Sequence, residues 1–168
     1  MLTSWTSYIA TALTVVCVLL AIVSSLHDVI ARTIPNGLLL ILTVASLAAA
    51  GAGGHFVGSV LAAAGVFAVA AWCWQRGWMG GGDVKLLGAV ALGIPASAML
   101  TFVIAVTIAG GLLAFFYLAA RRLIPAPCSI RPANLFARTV RAERWRISRG
   151  APLPYACAIT AGLLFVIV

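Results

Sequence analysis

The sequence predicts an all-α integral membrane protein of about six transmembrane helices. Two observations carry this. Hydrophobic residues make up 64% of the 168 residues and charged residues only 8%, whereas a soluble domain carries about 25% charged residues. The apolar residues also fall in long continuous runs, close to the ~20 residues that cross ~30 Å of hydrocarbon, and do not alternate as half-buried strands do. Lipid offers backbone polar groups no partner, so only helices and closed barrels span it. Continuous runs select helices.

The first run extends from Trp5 to Leu26. Residues 1–8 hold no Lys or Arg, so the positive segment of a cleavable signal is missing, and the run is longer than a signal core. It reads as a retained first helix. The second helix is expected over Gly37–Ala50 and the third over Phe56–Trp74. A charge-free stretch from Leu86 to Ala120 is too long for one span and breaks at Gly93-Ile94-Pro95, giving helices four and five. The sixth covers Pro154–Val168. Helices two and four are short for a bilayer, which places them among the others or in thinned membrane. With no internal repeat and no second domain, residues 1–168 read as one membrane-embedded domain, and residues 121–153 as its Arg-rich connection.

Net charge is +8. In a soluble protein that balance points to nucleic acid; here it points to topology. All 11 Lys and Arg fall in the first, third and fifth connections, at 27–36, 75–85 and 121–153. Basic residues collect in cytoplasmic loops, so these three connections are expected in the cytoplasm and both termini outside it. Residues 121–153 read as a loop near anionic lipid headgroups, which attract such segments. An interfacial helix is the weaker reading, because Glu143 interrupts the Phe136, Val140, Ile147 stripe and Trp145 points the other way.

The four cysteines, Cys17, Cys73, Cys128 and Cys157, form no CxxC pair, which leaves a zinc or redox reading without support. His27 and His55 stand apart without other ligands, so no metal is expected. The acidic residues are only Asp28, Asp83 and Glu143. Glu143 sits among arginines, where a solvated ion pair explains it. Ionisable groups at membrane depth are costly and are usually functional or paired. Alone, each aspartate could be a helix-end carboxylate or a partner for Arg32 or Lys85. Both, however, fall at helix ends on the same side of the membrane, where two carboxylates of a small bundle can meet. Gly80-Gly81-Gly82 before Asp83 permits unusual backbone angles and close approach of a peptide; the plainer reading is a turn. Ile34-Pro35-Asn36-Gly37 marks the entry to helix two.

At these two places the sequence resembles a family. Asp28 followed by Ile34-Pro35-Asn36 resembles the first-aspartate motif of type IV prepilin peptidases. Gly80-Gly81-Gly82-Asp83-Val84-Lys85 resembles their second motif, Gly-x-Gly-Asp followed by Lys. Pro154-Tyr155-Ala156 is similar to an element near the end of small members. The resemblance implies a membrane aspartyl endopeptidase with Asp28 and Asp83 as catalytic carboxylates. Gly80, Gly82, Lys85, Pro35 and Asn36 would support them. It further implies a prepilin or pseudopilin substrate with a short basic leader, no cofactor, no nucleic-acid partner, and a place in the bacterial inner membrane with the site near the cytoplasmic face. The cysteine-containing cytoplasmic insert of larger members is missing, so methyltransfer is not implied. The compact form is similar to the peptidases of tight-adherence pilus systems; archaeal preflagellin peptidases share the core. Two carboxylates that share a site share a proton. One then acts as base on water and the other donates to the scissile group. The rival reading is a small transporter or scaffold with ion-binding or structural aspartates, although transporters place such groups near the midplane. A presenilin-like protease would have Tyr before its first aspartate, where this chain has His27.

Overall fold

A computed structural model of the chain describes residues 2–123, 140–142, 144–145 and 153–167. Among them are six main helices: α1 (Leu2–Ala31), α2 (Asn36–Ala52), α3 (Phe56–Gln75), α4 (Gly81–Ala91), α5 (Ala96–Leu123) and α6 (Tyr155–Ile167). No strand occurs among the described residues. Three helices contain stretches long and apolar enough to cross a membrane: Trp5–Ala31, Phe56–Gln75 and Ala96–Arg122. The helices α2 and α6 are apolar but shorter.

The break between α4 and α5 falls at residues 92–95, as Gly93 and Pro95 predict. Two boundaries differ from expectation by five residues. Helix α1 continues past Leu26 to Ala31, because polarity alone does not end a helix and no breaker occurs before the Arg32–Pro35 segment. Helix α4 begins at Gly81, five residues before the apolar run. Its acidic third residue, Asp83, suits a helix N-terminus, where the backbone dipole favours negative charge.

The short helix α4 is the centre of the bundle, with every residue from Leu86 to Ala91 buried. It packs against α2, α3 and α6, while α1 packs against α2 and α6, and α5 against α3 and α6. Between helices in lipid the driving force is close packing, which small residues permit. A side chain on Gly162 of α6 would run into Val106 of α5, and one on Gly110 would meet the Tyr155 ring at 2.8 Å. A polar clamp joins α1 to α6: the Ser25 and Thr160 hydroxyls lie 2.6 Å apart. They reach the carbonyls of Ala156 at 2.9 Å and Ala21 at 3.1 Å. That clamp fixes the end of α1 one turn before Asp28.

The Arg76 guanidinium lies 4.7 Å from the Trp72 ring centre, and Trp72 meets Trp78 edge to face at 5.4 Å. Amphipathic rings of this kind sit at membrane interfaces. Within the Arg-rich connection, residues 140–142 and 144–145 are helical, which departs from the plain loop expected there. Cys128, Arg131, Phe136, Arg138, Glu143, Arg146, Ile147 and Arg149 lie outside the described residues.

Candidate active site

Asp28 sits inside the last turn of α1, not beyond it, and is 8% exposed. The chain leaves the helix at Arg32, whose φ of 55° is left-handed, while its N–H still bonds the Asp28 carbonyl at 2.8 Å. Pro35 disfavours helical backbone at Ile34 and then caps α2 in an extended conformation. His27 braces the turn, donating from Nδ1 to the Thr33 carbonyl at 2.5 Å. His27 thus closes the turn that follows the first aspartate.

Asp83 is the third residue of α4, after the capping residue Gly80. Its carboxylate accepts a hydrogen bond from the Gly80 backbone N–H, one half of a capping box. The glycine run does not have the unusual angles expected of it. Gly80 is extended at φ −70°, ψ 140°, and the left-handed glycines among the described residues are Gly54 and Gly77. Space is what Gly80 supplies. A methyl group there would come within 2.8 Å of the Asp83 Oδ2, whereas one on Gly82 would only touch Ile34 at 3.7 Å.

The end of α1 and the starts of α2 and α4 enclose one cavity of about 470 Å³. Asp28, Asp83, Arg32, Asn36, Lys85 and all three glycines line it. Six of the seven site residues expected from sequence therefore meet on one wall: Asp28, Asp83, Gly80, Gly82, Lys85 and Asn36. Pro35 is not part of the lining and acts as the entry to α2. Lys85 donates from Nζ to Asn36 Oδ1 at 3.2 Å, tying one motif to the other. Arg32 was read only as a topological charge or an ion-pair partner, and its backbone angle leaves no trace in the sequence.

A larger cavity of about 1140 Å³ adjoins the first and shares Gly80, Asp83 and Leu153 with it. Its walls are mainly apolar faces of α3 and α5, with Tyr155 and Arg121 near the Asp83 end. The lining on α5 runs from Ala96 to Arg121, which at ~1.5 Å per residue is about the thickness of a bilayer. Cys73 of α3 also lines this cavity.

Asp83 lies in the first turn of α4, ahead of the apolar part of that helix. Burial pushes its carboxyl up to about 6, the Asp28 charge adds to the rise, and Arg32 and the Gly80 N–H oppose it. Such a group keeps its proton well above the usual carboxylate range while a second carboxylate stands beside it. Among the described residues, no three His, Cys, Asp or Glu stand close enough to hold a metal ion.

The model of the type IV leader peptidase family matches residues 14–115, a stretch that includes both aspartates. No curated protein and no solved structure matches the chain.

Proposed function

This chain belongs to the type IV leader peptidase family, and from that premise we propose that it is an aspartyl endopeptidase removing the basic leader of prepilin-like substrates. One observation carries the reading: Asp28 from the end of α1 and Asp83 from the start of α4 line the same cavity. Its surroundings, a glycine whose bareness makes room for a carboxylate and a Lys–Asn tie between the motifs, suit two groups held for joint work.

The chemistry follows from a shared proton. The ionised carboxylate takes a proton from water, whose oxygen attacks the scissile carbonyl, while the protonated one donates to the carbonyl oxygen to give a diol; as the C–N bond breaks, the first carboxylate passes the water proton to the leaving amine and the second recovers its proton from the diol hydroxyl. Burial and the Asp28 charge raise the Asp83 carboxyl to about 6, which favours a proton held by the pair, whose titration belongs to both carboxylates. No metal or organic cofactor enters this scheme.

A substrate bound with its scissile bond at Asp83 continues into the larger cavity, whose walls suit an apolar segment. The distribution of basic residues supports a cytoplasmic face of the inner membrane for this end of the bundle, a setting in which an Arg-rich connection would meet anionic headgroups. All of residues 1–168 then serve one peptidase domain. Carboxylates at a bundle end, and not at its midplane, speak against the transporter reading.

Co-expression with a candidate prepilin, read as a mobility shift on a gel, tests the proposal. Leader removal by the wild-type chain, lost in an Asp28→Asn variant, is the result expected. An uncleaved panel of prepilins beside correctly inserted wild-type protein would overturn it.

A further inference from the structure

Helix α1 ends in a left-handed residue, and at that position glycine or asparagine is the cheap choice. Here the residue is Arg32, at φ 55°, and it is the sole non-glycine with positive φ among the described residues. A left-handed conformation is unfavourable for an L-residue, and backbone outliers of this kind cluster where function needs them. Something about the side chain must offset the cost.

The side chain does not trail into solvent. Its Nε is out of contact with water, and the residue lines the cavity of Asp28 and Asp83. The turn is held from both sides, by the Arg32 N–H on the Asp28 carbonyl and by His27 on the Thr33 carbonyl. A braced turn thus delivers a permanent cation to the two carboxylates.

We propose that Arg32 is a positioning residue for the carboxylate pair: its left-handed turn sets the guanidinium into their cavity, where its charge fixes how tightly they hold their shared proton. This rests on the reading of Asp28 and Asp83 as the catalytic pair. The Arg32 charge acts on Asp83 in the direction the proposal needs, favouring the ionised form. Other groups face the same space. Lys85 on α4 is exposed and engaged with Asn36 of α2. Tyr155 of α6, Cys73 of α3 and Arg121 of α5 border the adjoining cavity. Among the basic groups, Arg32 and Lys85 line the carboxylate cavity itself.

The sign is fixed. Removing a cation raises the proton affinity of both carboxylates, so both limbs of the rate profile move to higher pH. Three variants separate charge from backbone. Arg32→Lys keeps the charge and the left-handed cost. Arg32→Gln keeps the cost and loses the charge. Arg32→Gly loses both, and because glycine relieves the backbone it is the variant best placed to fold. The experiment is the pH profile of kcat/KM on prepilin in detergent or lipid, with folded protein quantified. The expected result is an upward displacement of both limbs by about one pH unit in Arg32→Gln and Arg32→Gly, with Arg32→Lys near wild type. Unmoved limbs in Arg32→Gly, whatever its yield or rate, would reduce Arg32 to a helix terminator. So would a profile displaced equally by Lys and Gln. A wild-type chain that cleaves no prepilin would instead sink the peptidase reading beneath the proposal, which is a different outcome from cleavage with unmoved limbs.

Discussion

Lys85 reaches across from α4 to donate to the Oδ1 of Asn36, the first residue of α2, over 3.2 Å. The bond joins the segment that follows Asp28 to the helix that carries Asp83. The cavity wall therefore does not depend on the path of the chain alone. Both residues are exposed, so the bond adds little to global stability, since hydrogen bonds open to water contribute at most about 1 kcal/mol.

If the tie aligns the two motifs, Asn36→Ala and Lys85→Met should each lower the processing rate several-fold while the protein accumulates near wild-type level. The double variant should be no worse than the poorer single one, because a broken tie cannot be broken twice. Processing rates of the three variants form the test. Full multiplication of the two single effects would show that the residues act separately.

Asp28→Asn and Asp83→Asn should each abolish leader removal with insertion and abundance nearly intact. Asparagine keeps the shape and can still accept the Gly80 N–H at position 83, so the cap on α4 survives. Loss of a carboxylate that shares a proton removes a role no neutral amide can fill. Near-normal processing by either variant would refute the assignment; collapse of both proteins with residual activity per molecule would make the pair a structural element.

Gly80 and Gly82 should differ, and Gly80 should be the sensitive one. Proximity in sequence puts Gly82 beside the carboxylate, but in space a methyl on Gly80 meets Asp83 Oδ2 at 2.8 Å while one on Gly82 makes ordinary contact with Ile34. Because Gly80 is extended and not left-handed, Gly80→Ala carries no backbone penalty of the kind a positive φ imposes. Its effect should appear as lower activity per folded molecule, with Gly82→Ala close to wild type. Equal specific activities would mean that the Asp83 carboxylate moves aside without consequence.

The helices were legible because lipid imposes a single rule, that long apolar runs must be helical. Their ends were less so. Hydropathy stops at Leu26, but the helix stops only where Arg32 turns left-handed before Ile34-Pro35, so Asp28 falls inside α1. At α4 the helix starts with glycines that propensity counts against, because Gly80 and Asp83 cap it. That Asp28 and Asp83 line one cavity could be expected from the common side of their connections and from the two motifs. The place of Arg32 could not, since an arginine carries no mark of an unusual φ. Nor could the larger cavity be foreseen, because it arises from how α3 and α5 stand apart beside α4.

That cavity yields the last prediction. If substrate leaves Asp83 along it, a bulky residue on its wall should obstruct passage without touching the carboxylates. Gly65 of α3 lines the cavity and has no atom within 4 Å of where its side chain would begin, so a ring there projects into the open groove without displacing protein. Gly111 of α5 is equally unobstructed but lies off the groove, which makes it the control. Both replacements remove a helix-interior glycine and should raise helix propensity alike. Gly65→Phe should then slow cleavage of a membrane-embedded prepilin by about tenfold, equivalent to ~1.4 kcal/mol. Gly111→Phe should not. A short soluble peptide spanning only the scissile bond does not use the groove, so both variants should cleave it at the wild-type rate. Loss of activity on both substrates in Gly65→Phe would trace the damage to the carboxylate site. Wild-type cleavage of the membrane substrate by Gly65→Phe would remove the groove between α3 and α5 from the substrate path.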